Sequence, residues 1–408
     1  MALPCAVGGA AGLGAFGGMV GAFGHGVGRR LGEQSQPLHF LQALAMNTAA
    51  SAATLTIPTQ APVLVTGATG YVAGWLVQRL VQAGVTVHAA VRDPQDGRKV
   101  AHLQALSDAG PGRVRFFAAD LMQPGSYAQA MEGCEVVFHT ASPFTTHVKD
   151  PQRELIDPAL LGTRNVLEQA SHTPSVRRVV LTSSCAAIYT DAADCAAAPG
   201  GVLTEAVWNT TASLEHQPYS YSKTLAEREA WRLAEGQSQW RLVVVNPSLV
   251  IGPGTNPRPT SESFNIVRQL GDGTLKAGAP RAGFGVVDVR DLAQAHLAAA
   301  FIPGAEGRHI VSGHNTDLLA LGQSLLPRFG ERYALPRRAL PKWLVWLVAP
   351  LSGLTRKFVA RNVDHPWRAD NSKGRQALGL HYRPLQESME DMFSQMIEAG
   401  YFKKTQRP

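Results

Sequence analysis

A glycine-rich segment between an apolar run and an amphipathic run constrains this chain more than any other feature. The apolar run Val63–Thr66 leads into Gly67-Ala-Thr-Gly70-Tyr-Val-Ala73-Gly74. Gly67 permits a tight turn, Gly70 lets backbone N–H groups approach a pyrophosphate, and Ala73 with Gly74 lets a helix pack closely on a sheet. The phosphate would lie at a helix N-terminus, where unpaired N–H groups and the helix dipole favour an anion. The segment predicts a dinucleotide-binding strand–turn–helix unit.

Short apolar runs continue to alternate with amphipathic runs, which predicts βαβ units with a parallel sheet. The predicted strands are Val63–Thr66, Thr86–Val91, Val114–Phe117, Glu135–His139, Arg178–Thr182 and Leu242–Asn246. The predicted helices are Gly70–Gln82, Arg98–Ser107, Ser126–Met131, Gln152–Ala170 and Tyr219–Ala234. Right-handed crossovers give the strand order 3-2-1-4-5-6, so we expect an α/β fold with a Rossmann-type doubly wound parallel sheet.

The alternation breaks up after Pro253. We therefore expect a low-complexity leader at 1–62, a dinucleotide-binding Rossmann domain at 63–253, and a smaller, mainly substrate-binding lobe at 254–408. Some segments of this lobe are expected to return to the Rossmann domain. Ligands of such folds bind at the carboxyl edge of the sheet, which the lobe should cover.

The leader contains an uncharged stretch at 8–28 with ten glycines, followed by Arg29 and Arg30. Its small residues spaced four apart would suit a packed membrane helix, but so much glycine makes a poor apolar helix. A secretory signal carries its charges before the apolar stretch. We expect a disordered or targeting leader over 1–45, or translation that begins at Met46, in a cytoplasmic protein.

The net charge of +7 arises in the C-terminal part, because Pro327 to Pro408 hold fifteen Lys/Arg against seven Asp/Glu. No nucleic-acid-binding motif accompanies this charge, so we expect no nucleic acid partner. The four cysteines form no C-x-x-C pair, which predicts neither a disulfide framework nor a zinc site. His139 has no second histidine or carboxylate at metal-ligand spacing, so we expect no metal.

The apolar run Trp343–Leu351 is too short to span a bilayer, which needs about 20 residues. We interpret it as a core or lid helix. Its two tryptophans with Lys342, Arg356 and Lys357 nearby would also suit contact with a membrane surface, an alternative that we do not favour.

Polar residues at the end of the fifth predicted strand and at the start of a later helix predict acid–base chemistry. Tyr219 and Lys223 share a helix face because they lie four residues apart, whereas Tyr221 points away. We expect the Lys223 ammonium to lower the pKa of the Tyr219 phenol, which would act as the acid–base group. Ser184 would hold a carbonyl oxygen by a hydrogen bond, with Ser183 as the alternative, and Lys223 could also reach the ribose of a cofactor.

The end of the second predicted strand favours NADP over NAD. A carboxylate there usually binds the ribose 2′-hydroxyl of NAD, whereas an arginine accommodates the 2′-phosphate of NADP. Arg92 follows the strand directly, and Lys99 would add a second charge. Asp93 is the opposing residue, since it could accept a ribose hydroxyl.

The chain resembles the extended short-chain dehydrogenases/reductases, and within them the group of dihydroflavonol 4-reductase and cinnamoyl-CoA reductase. The resemblance covers about Val63 to Phe402. Its motifs, in family order, are VLVTGATGYVAGWLV, AAVRDP, AADL, VVFHTASP, DPALLGTRNVLE, RVVLTSSCAAIY, YSYSKTLAEREAW, NPSLVIGPG and VDVRDLAQAH. It implies that Asp120 and Leu121 flank the adenine, that Ala141 and Ser142 lie beside the pyrophosphate and ribose, and that Pro247 and Ser248 lie beside the nicotinamide.

We therefore expect an NADPH-dependent reductase of an aldehyde or ketone. The predicted catalytic residues are Ser184, Tyr219 and Lys223, and the predicted cofactor-binding residues are Gly67, Thr69, Gly70, Tyr71, Val72, Arg92, Lys99, Asp120, Leu121, Ala141, Ser142, Pro247 and Ser248. The alternatives are a nucleotide-sugar epimerase or dehydratase that retains its NAD(P), and a non-catalytic NADP-sensing protein. We expect a monomer or homodimer. The basic residues between Arg328 and Arg375 suggest the hypothesis of an anionic carbonyl substrate.

Overall fold

The computed structural model describes residues 57, 60–142, 148–256 and 261–402. The expectations for residues 1–45 and for Met46 lie outside this range. A parallel sheet of seven strands forms its centre, in the order β3-β2-β1-β4-β5-β6-β9. The strands are β1 (Val63–Thr66), β2 (Thr86–Val91), β3 (Arg113–Ala118), β4 (Val136–His139), β5 (Arg178–Thr182), β6 (Arg241–Pro247) and β9 (Gly307–Val311). The Rossmann-type doubly wound fold and the order of its first six strands are thus confirmed.

Helices cover both faces of this sheet. They are α1 (Tyr71–Gln82), α2 (Gly97–Ala109), α3 (Ala128–Met131), α4 (Asp157–Ser171), α5 (Pro218–Glu235) and α7 (Val289–Phe301). Neighbouring residues of β1 face opposite sides, with Val63 and Val65 in the core beneath α1 and α7, and Leu64 in the core beneath α4 and α5. Burial on both faces explains why these strands are continuous apolar runs in the sequence.

Two elements differ from the sequence predictions. The predicted helix Gln152–Ala170 begins with a π-helical turn at Gln152–Ile156 before α4, where Pro158 supplies no backbone N–H. The seventh strand, β9, was not predicted, because the polar residues Arg308 and His309 interrupt its apolar pattern. Both are nevertheless buried.

A second sheet of three strands, in the order β10-β8-β7, organises the C-terminal lobe. Its strands are β7 (Leu249–Ile251), β8 (Gly283–Asp288) and β10 (His314–Asp317). The helices of the lobe are α6 (Glu262–Gly271), α8 (Leu318–Gln323), α9 (Leu326–Phe329), α10 (Lys342–Val348), α11 (Arg356–Asn362) and α13 (Leu385–Glu398). Side chains from these helices and from β7 and β8 form a separate hydrophobic core. In contrast, α12 (Ser372–Ala377) packs against β9 of the central sheet. Because α7 and β9 follow β8, the chain leaves the lobe and rejoins the central sheet before it ends.

The run Trp343–Leu351, interpreted as a core or lid helix, is buried on one side only, where Val345 and Ala349 belong to the core of the lobe. In α10 only Val345 is buried, whereas Trp343, Trp346 and Leu347 are exposed. The run has more apolar residues than one face of a two-turn helix can bury, so the remainder faces outward. Among the described helices, none combines the length and the apolar content needed to traverse a bilayer.

Candidate active site

Six loops that carry predicted site residues meet at the carboxyl edge of the central sheet. Each of the first six sheet strands, β1 to β6, is followed within two residues by a predicted site residue, in chain order Gly67, Arg92, Asp120, Ala141, Ser183 and Ser248. Parallel strands end at one edge, so residues far apart in sequence are brought together.

The turn after β1 has the geometry of a phosphate-binding loop. Gly67 has φ +61°, and a Cβ there would come 3.0 Å from the Cα of Ala141. The Gly70 N–H donates to the Gly67 carbonyl over 2.9 Å, and Gly70 is the N-cap of α1. The N–H groups of Tyr71 and Val72 lie in the first helical turn, where the helix itself offers no acceptor.

The position after Ala73 also requires glycine. A Cβ at Gly74 would come 2.2 Å from Oγ1 of Thr255, so a side chain there would collide with the segment that follows β7. Ala73 is buried in the core between α1 and the sheet. Alanine and glycine in this order allow α1 to approach both the sheet and the lobe.

Four further predicted cofactor residues lie toward the outer strands of the edge. The Ala119 N–H donates to the Val91 carbonyl over 2.9 Å, which sets the loops after β2 and β3 side by side. Arg92 is exposed in the first of these loops. Asp120 is exposed in the second loop, where one carboxylate oxygen accepts the Met122 N–H over 2.8 Å. The other two residues, Lys99 and Leu121, contact side chains close to them.

The Lys99 ammonium lies 3.0 Å from the Asp96 carboxylate. The Leu121 carbonyl accepts a hydrogen bond from the Asn165 side chain over 2.9 Å, and the Leu121 side chain contacts Gly162. Lys99 therefore already has an anionic partner, which Arg92 lacks within the described part of the chain.

The three predicted catalytic side chains converge above β5. Tyr219 forms a hydrogen bond with Ser184, and the Ser184 Oγ also accepts the Ala186 N–H over 3.1 Å. The Lys223 Nζ lies 5.9 Å from the centre of the Tyr219 ring and donates to the Ser142 Oγ over 3.0 Å.

The electrostatics of this group differ from the sequence prediction. We expected Lys223 to lower the pKa of Tyr219, and this is wrong. Burial is the largest effect and raises the pKa of Tyr219, against a smaller lowering by the hydrogen bond with Ser184. The Lys223 ammonium is directed to Ser142 rather than to the phenol. Burial lowers the pKa of Lys223 to about 8, partly opposed by the carboxylate of Glu227.

A buried network beneath these residues was not found by sequence reasoning. The Glu227 carboxylate is fully buried and accepts hydrogen bonds from Ser183, Asn246 and Arg308. Glu227 follows Lys223 by one helical turn, a spacing that was visible in the sequence but is common on any helix surface. The two serines after β5 thus differ, since Ser183 donates to Glu227 and Ser184 lies beside Tyr219.

His139, at the end of β4, lies just below the site. Its Nδ1 is 3.0 Å from the Thr66 Oγ1, and burial lowers the pKa of His139 to about 3. The imidazole is therefore neutral. Within the described ranges no group of three potential metal ligands occurs.

A cavity of about 300 Å³ opens over the edge of the sheet. Ten of the predicted site residues line it, namely Gly67, Gly70, Tyr71, Val72, Ser142, Ser184, Tyr219, Lys223, Pro247 and Ser248. Ala141 lines a small adjoining cavity. The remaining predicted residues, Thr69, Arg92, Lys99, Asp120 and Leu121, lie outside the main cavity. The Tyr71 hydroxyl donates a hydrogen bond to the Gly252 carbonyl. Tyr71 therefore links α1 to the segment after β7 and also lines the cavity.

The lobe contributes lining residues that sequence reasoning missed. Glu262 comes from α6, Phe284 from β8, and Phe358 and Asn362 from α11. Burial raises the pKa of the Glu262 carboxyl above its ordinary value. No motif marks these residues, because each comes from a different element that only the folded chain brings to the cavity.

Comparison with known proteins shows which family and which proteins this chain is similar to. The model of the NAD dependent epimerase/dehydratase family matches residues 63–312. The chain is 36% identical over 347 residues to cinnamoyl-CoA reductase CAD2 of Medicago truncatula, covering 83% of this chain and 96% of that protein. It is 35% identical over 342 residues to tetraketide alpha-pyrone reductase 1 of Arabidopsis thaliana, again covering 83% and 96%.

The structure of Gre2 from Candida albicans in complex with NADPH superimposes with a TM-score of 0.67 at 27% identity, covering 83% of this chain and 99% of Gre2. With a family model matching well over half of the chain and relatives above 30% identity over most of its length, the chain belongs to the NAD dependent epimerase/dehydratase family.

Proposed function

We propose that the protein is an NADPH-dependent reductase that converts an aldehyde or ketone into an alcohol. The observation that carries the proposal is the convergence of Ser184, Tyr219 and Lys223 above a phosphate-binding loop, in one cavity. Two relatives at 35–36% identity are named reductases, and a structural neighbour was solved with NADPH, which supports the same activity.

The residues present fit NADPH. The Gly67–Gly70 turn and the first N–H groups of α1 suit a pyrophosphate, and Arg92 offers a planar guanidinium to a 2′-phosphate. We also propose that Thr69 in that turn binds the cofactor, with Asp120 and Leu121 at the adenine. Ala141 and Ser142 would lie beside the pyrophosphate and ribose, and Pro247 and Ser248 beside the nicotinamide. Lys99 would contribute less, because Asp96 holds its ammonium.

When bound, NADPH supplies the hydride that the carbonyl carbon accepts. Ser184 donates a hydrogen bond to the carbonyl oxygen, and Tyr219 delivers the proton that completes the hydroxyl group. The raised pKa of Tyr219 keeps its phenol protonated at neutral pH, which is the form that a proton donor needs. Lys223 provides a positive charge between Ser142 and Tyr219 and lies where a ribose hydroxyl would pass.

The charge of the acceptor is a separate part of the proposal. None of the Lys/Arg residues between Arg328 and Arg375 belongs to the described lining of the cavity. Two of them hydrogen bond elsewhere, Arg337 to the Gly330 carbonyl and Arg338 to the Ala277 carbonyl. With Glu262 in the lining, this arrangement favours a neutral carbonyl acceptor over the anionic one suggested by the sequence.

The proposal is tested by steady-state oxidation of NADPH with a panel of aldehydes, ketones and acyl-CoA thioesters. Consumption of NADPH with formation of the matching alcohol is the expected result. Tightly held nicotinamide that is not consumed, together with conversion of a nucleotide sugar, would instead identify an epimerase or dehydratase. Binding of NADPH without turnover of any carbonyl would identify a sensing protein.

Salt distinguishes the two kinds of acceptor, because exposed charges are screened over about 8–10 Å at moderate ionic strength. For a neutral acceptor we expect kcat/KM to be nearly independent of salt. A steep fall for a matched anionic acceptor, abolished by Arg337→Gln with Arg338→Gln, would restore the anionic hypothesis. We further propose that the protein acts in the cytoplasm as a monomer or homodimer, which cell fractionation and light scattering would test.

A further inference from the structure

Exposed apolar side chains are concentrated at one place on the lobe. Trp343 is 68% exposed, Trp346 41%, Leu347 56% and Leu351 83%. Within the described ranges, the only other exposed large hydrophobic residues are Met122 and Leu161. We call the four residues the apolar patch. Two tryptophans and two leucines within nine residues form a contiguous surface of a kind that soluble monomers seldom leave in water.

The apolar patch is held firmly by the fold. Val345 and Ala349 point into the core of the lobe and are completely buried. The Lys342 Nζ donates to the Ala360 carbonyl over 2.9 Å, which ties the start of α10 to α11. The patch therefore projects from a fixed surface, because the buried side of α10 leaves it no freedom to turn inward.

Basic residues lie near the apolar patch in the sequence, without acidic residues among them. From residue 332 to residue 363 there are seven Lys/Arg and no Asp/Glu. The Arg356 guanidinium lies 4.3 Å from the centre of the Trp346 ring, and Lys357 beside it is exposed. Arg361 is the one basic residue of α11 that pairs with carboxylates, those of Asp191 and Asp194. Arg356 and Lys357 therefore place positive charge at one side of the patch, which we call its basic rim.

We propose that the apolar patch and its basic rim dock onto an anionic phospholipid surface. Tryptophan favours the boundary between headgroups and acyl chains, and leucine inserts below it. Arginine and lysine at the rim are attracted by anionic headgroups. A second copy of this chain fits less well, because a symmetric interface through the patch would bring the Arg356 and Lys357 charges of both copies into one interface, where like charges repel.

The position of the patch gives docking a functional consequence. Arg356 and Lys357 begin α11, and Phe358 and Asn362 of the same helix line the active-site cavity. Docking would hold the cavity close to the lipid surface, where apolar carbonyl compounds accumulate. This inference goes beyond the proposed function and does not depend on it, since binding to lipid is measured without turnover.

The test is flotation of the full chain with phosphatidylcholine vesicles and with vesicles that also contain phosphatidylserine. We expect binding to the mixed vesicles at low salt and much weaker binding to phosphatidylcholine alone. Arg356→Gln with Lys357→Gln should reduce the partition coefficient by about 30-fold, from the attraction of two basic residues to an anionic surface. Trp343→Ser with Leu351→Ser should reduce it at least as much.

Leu161→Ser is the matched control, because Leu161 is exposed and apolar but lies on α4, outside the patch. It should bind as the unchanged chain does. Equal binding by the patch variants and the control would overturn the proposal and assign any lipid binding to another segment, such as the leader. A dimer in light scattering that Trp343→Ser dissociates, with no binding to vesicles, would show that a second copy covers the patch. Unchanged thermal unfolding of each variant establishes that the fold is intact.

Discussion

The central sheet and the C-terminal lobe are held together by different kinds of contact. In the sheet, buried strands such as β1 and β4 pair through regular parallel hydrogen bonds, and helices cover both faces. The lobe packs around its own hydrophobic core, and ion pairs join it to α7 beside the central sheet, namely Arg290 with Asp391 and Arg383 with Asp291. Ring contacts such as that of Phe329 with Phe393 add to them. Regular backbone hydrogen bonds therefore hold the sheet, whereas contacts between particular side chains hold the lobe.

The two sides of the cavity differ in the same way, since backbone groups form one side and side chains form the other. The side that would hold the cofactor in the proposed function consists of strand ends and backbone N–H groups, as at Gly67 and Gly70. The side that would hold the acceptor consists of side chains from separate elements, such as Glu262, Phe284 and Phe358. Substitutions in the lobe can therefore change the acceptor while the cofactor site stays the same. Substitutions on the sheet side and on the lobe side of the cavity should therefore have different effects, the largest at the catalytic residues above the sheet.

Tyr219→Phe should lower kcat by about 10²–10⁴-fold, the usual contribution of a positioned acid–base group. The fold and the Kd for NADPH should be unchanged, because the aromatic ring remains in place and only the hydroxyl group is lost. Stopped-flow and steady-state rates with NADPH measure the effect. Tyr221→Phe is the control and should be mild, since Tyr221 is not among the lining residues of the described cavity. Near-normal turnover by folded Tyr219→Phe would remove this residue from the mechanism.

Arg92→Ala should raise KM for NADPH by about 10–150-fold, because a hydrogen bond to a charged group contributes about 1.5–3 kcal/mol. KM for NADH should change little, since NADH has no 2′-phosphate. Lys99→Ala is the matched control and should have a smaller effect, because Asp96 already pairs with Lys99. Equal losses for both cofactors after Arg92→Ala would assign Arg92 to another role.

The rate of carbonyl reduction should fall above about pH 8. Below this pH Lys223 is protonated, and above it the ammonium loses its proton, because burial lowers the pKa of Lys223 to about 8. The pKa of Tyr219 is raised, so its phenol stays protonated over the same range. We expect kcat to be constant below pH 8 and to decline by up to about tenfold per pH unit above it. A flat profile up to pH 10 would contradict a role for the Lys223 charge.

Asp391→Asn should destabilise the lobe by about 0.5–1.5 kcal/mol, because it removes the charge that holds α13 to Arg290. Glu390→Gln, one residue earlier, is the control. Its partner Arg328 is largely exposed, and exposed ion pairs contribute about 0–1 kcal/mol. Chemical unfolding followed by tryptophan fluorescence measures both variants. An Asp391→Asn protein as stable as Glu390→Gln would show that the ion pair does not hold the lobe.

The sequence predicted the sheet well and the lobe poorly, for the same physical reason. Val63–Thr66 and Arg178–Thr182 were located to the residue because strands buried on both faces leave uninterrupted apolar runs. Gly307–Val311 was missed because Arg308 is buried against Glu227, and a buried ion pair has no apolar signature. The exposed side of Trp343–Leu351 was not predicted, because composition shows how apolar a run is but not which side faces the core.

The candidate site was predictable where its residues follow strand ends or begin a helix. Gly67, Ser184 and Tyr219 belong to motifs with fixed places in the fold, and they line one cavity. The direction of the pKa shift of Tyr219 was not predictable, since burial exceeds the lowering by the hydrogen bond with Ser184 and burial is a property of the folded chain. The same holds for Glu227, whose partners come from three separate strands or their ends.

The return of the chain to the central sheet after the lobe limits how such a protein can evolve. Because α7 and β9 follow β7 and β8, the lobe is not a terminal module that recombination could replace as one piece. A truncation at Pro253 would remove β9 and leave β6 as an open edge. New acceptors must therefore arise by point substitutions or by exchange of individual loops, such as the segment between β7 and α6. Laboratory chimaeras with related enzymes should follow the same boundaries.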